Sequence, residues 1–400
     1  MKKLLLLLLV ILAGCGGGSG SINTPTVTTK VETTTCNILS SAAPAGFTGS
    51  YAIPNPTKKL NTNIQRSMGL KDESAPNACD YIVTLNRLQI LGVDRVWVYN
   101  YGIWDDFNKD VWTITEWQIS QQHFTSIVNE AKKRNIKVFL AFQFTSFDSK
   151  GNSLPWGQDI PESLLTKMLN SHHKLIVDYV KYGETIGLSG VSLDWNAFHI
   201  PNQNQLRDLW ATHMVATAND IRANFSGTIS YGQSEIPNFD SRIFDVVDEI
   251  HVFLTEIAEN RIYQINNNNI SVELLKAQYL TLIDSYYIRL NNTTKPVQFE
   301  ISIQSRDRYF TEGWVEDGFC VNNCIQNSYV TDFSVQAIGV EAALQAISEQ
   351  TKFVTKSVNF HTSYWVNDNL TPGNRGFPNL SQSIRGKPAE AIVKYWFGRG

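Results

Sequence analysis

Between residues 63 and 398, short apolar runs alternate with segments whose apolar residues recur at helical spacing. No other feature restricts the fold as much, because such alternation builds a parallel sheet with helices packed on it. The clearest run is IKVFLAFQF, residues 136–144. Further strands are predicted at 94–101, 190–195, 227–235, 246–254, 295–305 and 357–365, after a weak one at 63–68. Helices are predicted over 78–91, with Gly92 as the residue just past the end, and over 118–134, where Ile119, Phe124, Ile127, Val128 and Ala131 share a face. Others cover 161–186 with Pro161 in the first helical position, 204–224, 272–290, 333–349 and 388–397. Eight strands, close to eight helices and no internal repeat predict an α/β chain folded as a single (β/α)8 TIM barrel. Catalytic groups then belong at the C-terminal strand ends and the loops after them.

The first residues are not fold. Lys2 and Lys3 precede an apolar run over 4–12 and then Ala13-Gly14-Cys15, the pattern of a secretory signal too short to span a membrane. Leu-Ala-Gly-Cys resembles the bacterial lipobox, which implies cleavage after residue 14 and a lipid on Cys15. Gly16 after the cysteine implies an outer-membrane destination in a diderm cell. Residues 15–35 are then a lipidated cysteine and a Gly/Ser/Thr tether, 36–61 an irregular N-terminal extension, and 62–400 the barrel. Export leaves Cys36, Cys79, Cys320 and Cys324 in an oxidising compartment, where Cys36–Cys79 and Cys320–Cys324 are the expected disulfides. Zinc on the four thiolates is the alternative, but the chain has no C-x2-C spacing.

Some 360 residues after the tether suffice for one barrel with a sizeable core. A net charge of −3 among 18% charged residues gives no electrostatic case for nucleic acid. Most of the 20 Phe, 15 Tyr and 10 Trp are expected in the core, and those exposed in a neutral cleft suit sugar faces. No His-Glu-x-x-His, Walker loop, dinucleotide-binding glycine pattern or Gly-x-Ser-x-Gly occurs, so no cofactor or metal is expected.

Within KPVQFEISIQS, residues 295–305, alternation puts Phe299, Ile301 and Ile303 on one face and Gln298, Glu300, Ser302 and Gln304 on the other. A parallel sheet buries both faces, so the polar face must point into something special, such as the mouth of the barrel. A solvated face or a structural ion pair is the plainer reading of Glu300. The stretch resembles the nucleophile strand of clan-A glycoside hydrolases, especially the mannanase-like family 113. SIRGKPAEAIVKYWFG, 383–398, resembles that family's last helix, and QAIGVEAALQAI, 336–347, followed by the strand near Trp365 keeps its order. The resemblance spans about residues 62–398 and is strongest in the last third. It implies a glycoside hydrolase-like barrel acting on β-linked bonds of an extracellular or envelope polysaccharide, with Glu300 as nucleophile, held ionised and aimed by neighbouring polar groups such as Tyr99 and Gln233.

The second acid is where the pattern breaks. The family's fourth strand ends in a proton-donating glutamate, whereas SLDWNAF offers Asn196 there, and an amide cannot deliver a proton. GVSLDWN likewise resembles the chitinase-like family 18 with Asn in place of Glu. Asp194, on the same face two residues earlier, is taken as acid/base, with a structural hydrogen-bonding role as its alternative. Glu235 and then Glu256 are the other nearby acids. The expected sugar contacts are Tyr99, Tyr101, Gln143, Trp195, Asn196, Gln233, Glu235, His251, Trp314 and Trp365, with Trp104, Trp112, Trp117 and Trp156 as possible stacking platforms on the mouth side. Trp97 is core. His251 and His361 read as satisfied barrel histidines rather than metal ligands, and adjacent His172 and His173 face apart on a helix. The chain is expected to work as a monomer that touches a membrane only through its lipid. The rival reading is a non-catalytic carbohydrate-binding protein that has lost the proton donor; a third is a structural lipoprotein plugged by residues 305–332.

Overall fold

The computed structural model of the chain describes residues 49–71, 78–104, 114–117, 119–146, 161–195, 204–232, 240–255, 257, 270–313, 329–366 and 379–398. At 78, 101–104, 114–117, 143–146, 194–195 and 204–205 the description is of backbone alone. In chain order come β1 (Gln65–Lys71), α1 (Ala78–Ile90), β2 (Arg95–Trp104), β3 (Ile114–Trp117), α2 (Gln121–Lys132) and β4 (Lys137–Ser146). Then follow α3 (Glu162–Ile186), β5 (Gly190–Trp195), α4 (Asn204–Asn224), β6 (Thr228–Tyr231), α5 (Ser241–Val246) and β7 (Glu249–Phe253). The last third holds α6 (Val272–Arg289), β8 (Val297–Ile301), α7 (Tyr309–Glu312), α8 (Phe333–Glu349), β9 (Thr355–Trp365) and α9 (Pro388–Phe397).

Strands β1, β2, β4, β5, β6, β7, β8 and β9 pair in parallel in that order, and β9 closes the ring on β1. This is the expected (β/α)8 barrel. Gly92 stands at φ +84° just past α1, as expected. Three details differ from the sequence reading. Pro161 precedes α3 as its N-cap at ψ 141° rather than opening it, because that extended ψ lies outside the helix. The run expected over 246–254 is shortened at its start by α5, which Asp240 caps through the Arg242 amide while Ile243 and Phe244 enter the core. The stretch holding Trp104 and Trp117 is a strand return, with β3 pairing antiparallel to β2. Four residues are too few to show a period.

Each barrel strand turns alternate residues outward. On β8 these are Val297, Phe299 and Ile301, all at most 1% exposed, and burial of such side chains stabilises by about 1.5–3 kcal/mol each. Helix α8 turns almost no surface to solvent, since 14 of its 17 residues are buried, so it must be covered on nearly every side. The N-terminal extension supplies that cover. The Ser50 amide donates to Asp332 Oδ2 and the Tyr51 amide to Ser334 Oγ at the start of α8, while Lys58 Nζ pairs with Glu349 at its end. The Leu60 amide then donates to the Trp396 carbonyl on α9.

The 383–398 stretch proves to be a clasp. Arg385 Nη1 donates to the Trp365 and Val366 carbonyls at the end of β9. Lys387 Nζ, buried, donates to Ser305 Oγ and the Ser381 carbonyl. Glu390 receives Arg87 from α1, the Tyr364 hydroxyl from β9 and the Gly386 amide. Its residues tie the last two strands to the last helix and so fix the wall from which Glu300 projects.

Candidate active site

The barrel interior is polar in layers, because period-2 strands in register put their inward residues at matching heights. At the floor, Arg95 of β2 reaches across to Glu249 of β7, on the opposite side of the ring, and both are at most 1% exposed. The guanidinium lies 3.6 Å above the Phe139 ring and also donates to Gln65 Oε1 and Ser357 Oγ. Above it Trp97 donates its indole N–H to Gln298 Oε1 at 3.2 Å, and Ser357 Oγ donates to the same oxygen at 2.9 Å. Trp97 is thus interior, as expected, with its nitrogen engaged.

Those two donors fix the Gln298 amide, because an indole N–H can only donate. Its nitrogen therefore faces Glu300 Oε1, to which it donates, and His251 Nε2, 3.5 Å away. With Nε2 facing a donor, His251 carries its proton on Nδ1, which lies 3.2 Å from Glu300 Oε1. Asn359 of β9 donates from Nδ2 to Glu300 Oε2 at 2.6 Å. The Glu300 carboxylate thus receives N–H groups from Gln298 and Asn359, with the His251 imidazole beside Oε1. Its side chain faces the barrel interior, as alternation required, and is 1% exposed.

Two influences oppose each other at this carboxyl. Burial pushes its pKa up, to about 8, while the hydrogen bonds from Asn359 and Gln298 and the charge of Arg95 pull it back. His251 is held well below the ordinary imidazole range, first by burial and then by the Arg95 charge, so it is neutral. Gly232, at the end of β6, makes room for it: a Cβ there would fall 2.3 Å from His251 Cβ.

Tyr99, expected to hold Glu300 directly, acts one step away. Its hydroxyl lies 2.9 Å from His361 Nδ1, and that nitrogen is 3.7 Å from Glu300 Oε2. Trp365 closes β9 at 3% exposure, with Lys71 Nζ 5.0 Å from its ring centroid. Tyr101 and Gln143 pair across β2 and β4 near their C-terminal ends. Asp194 and Trp195 end β5, the fourth strand of the ring. Asn196, Gln233, Glu235, Glu256, Trp112, Trp156, Trp314, Cys15, Cys36, Cys320 and Cys324 lie outside the described residues. His172 is buried between α3 and α4, while His173 turns to Asp220 at 3.0 Å, far from this cluster in the fold. Among the described residues, no group of three or more His, Cys, Asp or Glu could hold a metal ion.

Sequence reasoning missed Gln298 and Asn359 as site residues. The signal was present: Gln298 shares the alternation of Glu300, and Ser357, Asn359 and His361 repeat it on the neighbouring strand.

Eight parallel strands closed into a ring, with a carboxyl, amides and imidazoles converging inside it, define a (β/α)8 barrel with a polar interior site. Searched by sequence, the chain matches no protein-family model and no curated protein. By structure it is similar to the GH113 β-mannanase AaManA of Alicyclobacillus acidocaldarius, with a TM-score of 0.57 and 14% identity over 83% of this chain and 96% of that one. It is similar also to a GH113 β-1,4-mannanase, with a TM-score of 0.57 and 12% identity over 84% of this chain and 99% of that one. At such identities the likeness establishes a shared fold, and chemistry must be argued from the site.

Proposed function

We propose that the chain is a glycoside hydrolase that cleaves β-linked glycosidic bonds of an extracellular or envelope polysaccharide, with Glu300 as nucleophile. The observation that carries this reading is the Glu300 carboxyl on the ring's seventh strand, held by hydrogen bonds from Gln298 and Asn359 with His251 Nδ1 3.2 Å from Oε1. Two N–H donors fix its oxygens, and a carboxylate so fixed is, once ionised, a nucleophile already aimed. In a retaining mechanism Glu300 attacks the anomeric carbon while a second carboxyl, about 5–5.5 Å away, protonates the leaving oxygen and then activates water. Asp194, at the end of β5, is assigned that second role. The GH113 neighbours make β-mannan the first substrate to try.

Asn196, where the related enzymes carry glutamate, favours the second reading, a carbohydrate-binding protein without turnover. A panel of β-linked polysaccharides assayed for new reducing ends separates the two. Hydrolysis by the wild-type chain that is lost in Glu300→Gln supports the enzyme. Binding without hydrolysis supports the alternative, and equal hydrolysis by both chains refutes the role given to Glu300.

We also propose export with a lipid on Cys15, placing the barrel at the outer membrane as a monomer, and disulfides Cys36–Cys79 and Cys320–Cys324. Palmitate labelling lost in Cys15→Ala tests the anchor.

A further inference from the structure

We propose that His361 is the residue through which the Glu300 cluster meets the sugar, its Nε2 hydrogen-bonding a ring hydroxyl of the unit that Glu300 attacks. This rests on the glycosidase reading above and adds to it a binding residue that neither Glu300 nor Asp194 supplies.

Three observations carry it. First, the His361 side chain is 20% exposed, whereas those of Glu300 and His251 are 1% and 5% exposed. The imidazole therefore spans from the buried carboxyl to the mouth. Secondly, its inner nitrogen is occupied and its outer one is not. Nδ1 faces the Tyr99 hydroxyl and Glu300 Oε2, while Nε2 has no partner among the described residues. Edge contacts with Tyr99 and Phe253, at centroid distances of 5.1 and 6.0 Å, hold the ring plane. Nε2 donates when Tyr99 donates into Nδ1 and accepts in the other tautomer. A sugar hydroxyl can answer either.

Thirdly, the backbone is distorted just where it aims this ring. Met68 of β1 pairs with Phe360 of β9, but Leu70 pairs with Tyr364, so Gly69 alone stands opposite His361, Thr362 and Ser363. Thr362 sits at φ +43°, a region β-branched residues avoid. Ser363 Oγ donates to the His361 carbonyl, and Gln382 Nε2 donates to Thr362 Oγ1, bracing the distortion. A bulge of this kind re-aims a side chain. It fits only because Gly69 lacks a Cβ, which would fall 2.5 Å from the Thr362 amide nitrogen. Burial, and then the Lys71 charge, lower the His361 pKa to about 4, so the ring is neutral at working pH and serves binding rather than proton transfer.

The test compares the full wild-type chain with His361→Ala, His361→Gln and Glu300→Gln. Substrates are an aryl β-glycoside that the wild type hydrolyses and its 2-deoxy and 3-deoxy counterparts. His361→Ala is expected to lower kcat/KM on the full sugar on the order of tenfold, the worth of one hydrogen bond. That loss vanishes on the deoxy sugar missing the contacted hydroxyl, and His361→Gln, which keeps a donor and an acceptor, recovers part of it. The pH profile stays where it was. An equal loss on every sugar, or no loss, overturns the proposal while leaving the glycosidase reading intact if Glu300→Gln is inactive. Absence of hydrolysis by the wild type, or full activity in Glu300→Gln, refutes the underlying reading and this one with it.

Discussion

Asn359 Nδ2 lies 2.6 Å from Glu300 Oε2, a bond between neighbouring strands that joins residues 59 apart in the chain. The register sets it, since Glu300 pairs directly with Asn359 across β8 and β9. A hydrogen bond to a charged group contributes about 1.5–3 kcal/mol. Asn359→Ala should therefore cut kcat/KM by roughly ten- to a hundredfold and lower the melting temperature as well. Steady-state kinetics beside a thermal melt checks both halves.

The pH dependence of activity follows from burial of the same carboxyl. Only the ionised form attacks, and its pKa in the free protein is pushed up to about 8. While ionisation of the proton-donating second carboxyl sets the falling limb of the kcat/KM profile, the limb set by Glu300 should rise with pH through about 8, because this ratio reports the free enzyme. Asn359→Asp, which swaps a donor for a like charge, should move that limb to higher pH. A wild-type limb near the ordinary carboxylate range would contradict this.

Stability should carry the opposite sign. A folded pKa above the unfolded one means that the native state holds the proton longer, so this contribution is full below the ordinary glutamate value of 4.5 and is lost as pH rises through about 8. Glu300→Gln has nothing there to ionise. Its melting temperature relative to wild type should climb steadily across that window, which differential scanning fluorimetry over a pH series can follow.

The floor pair predicts a different phenotype. Arg95 and Glu249 meet with at most 1% exposure, and removing one partner strands the other charge in the barrel. Glu249→Ala should cost about 3–5 kcal/mol of unfolding free energy, read from the urea midpoint.

Gly69→Ala tests the bulge. The added methyl would meet the Thr362 amide nitrogen at 2.5 Å and Tyr99 Cε2 at 3.1 Å. Overpacking of this kind costs about 1–3 kcal/mol, and kcat/KM should fall further than that loss of stability accounts for, since His361 and Tyr99 both shift.

The barrel was legible because strand and helix periods are local, and a polar alternate face on an otherwise apolar strand marked Glu300. Helix α8 was legible as a helix, but not what covers it, since the contacts from Ser50, Tyr51 and Lys58 span about 280–290 residues. His361 looked like an inert barrel histidine because nothing in SVNFHTSYW announces a bulge. Its cause, Gly69, lies on another strand. Tyr99 was placed near the site yet given the wrong neighbour, for the same reason.

The most direct measurement is trapping of the glycosyl-enzyme. The wild-type chain is incubated with activated 2-deoxy-2-fluoro β-mannosyl and β-glucosyl fluorides, digested, and read by tandem mass spectrometry. The account predicts one added sugar on the peptide bearing Glu300 and none in Glu300→Gln. A sugar attached to a different carboxyl, or hydrolysis without any adduct and with inverted anomeric configuration, would contradict it.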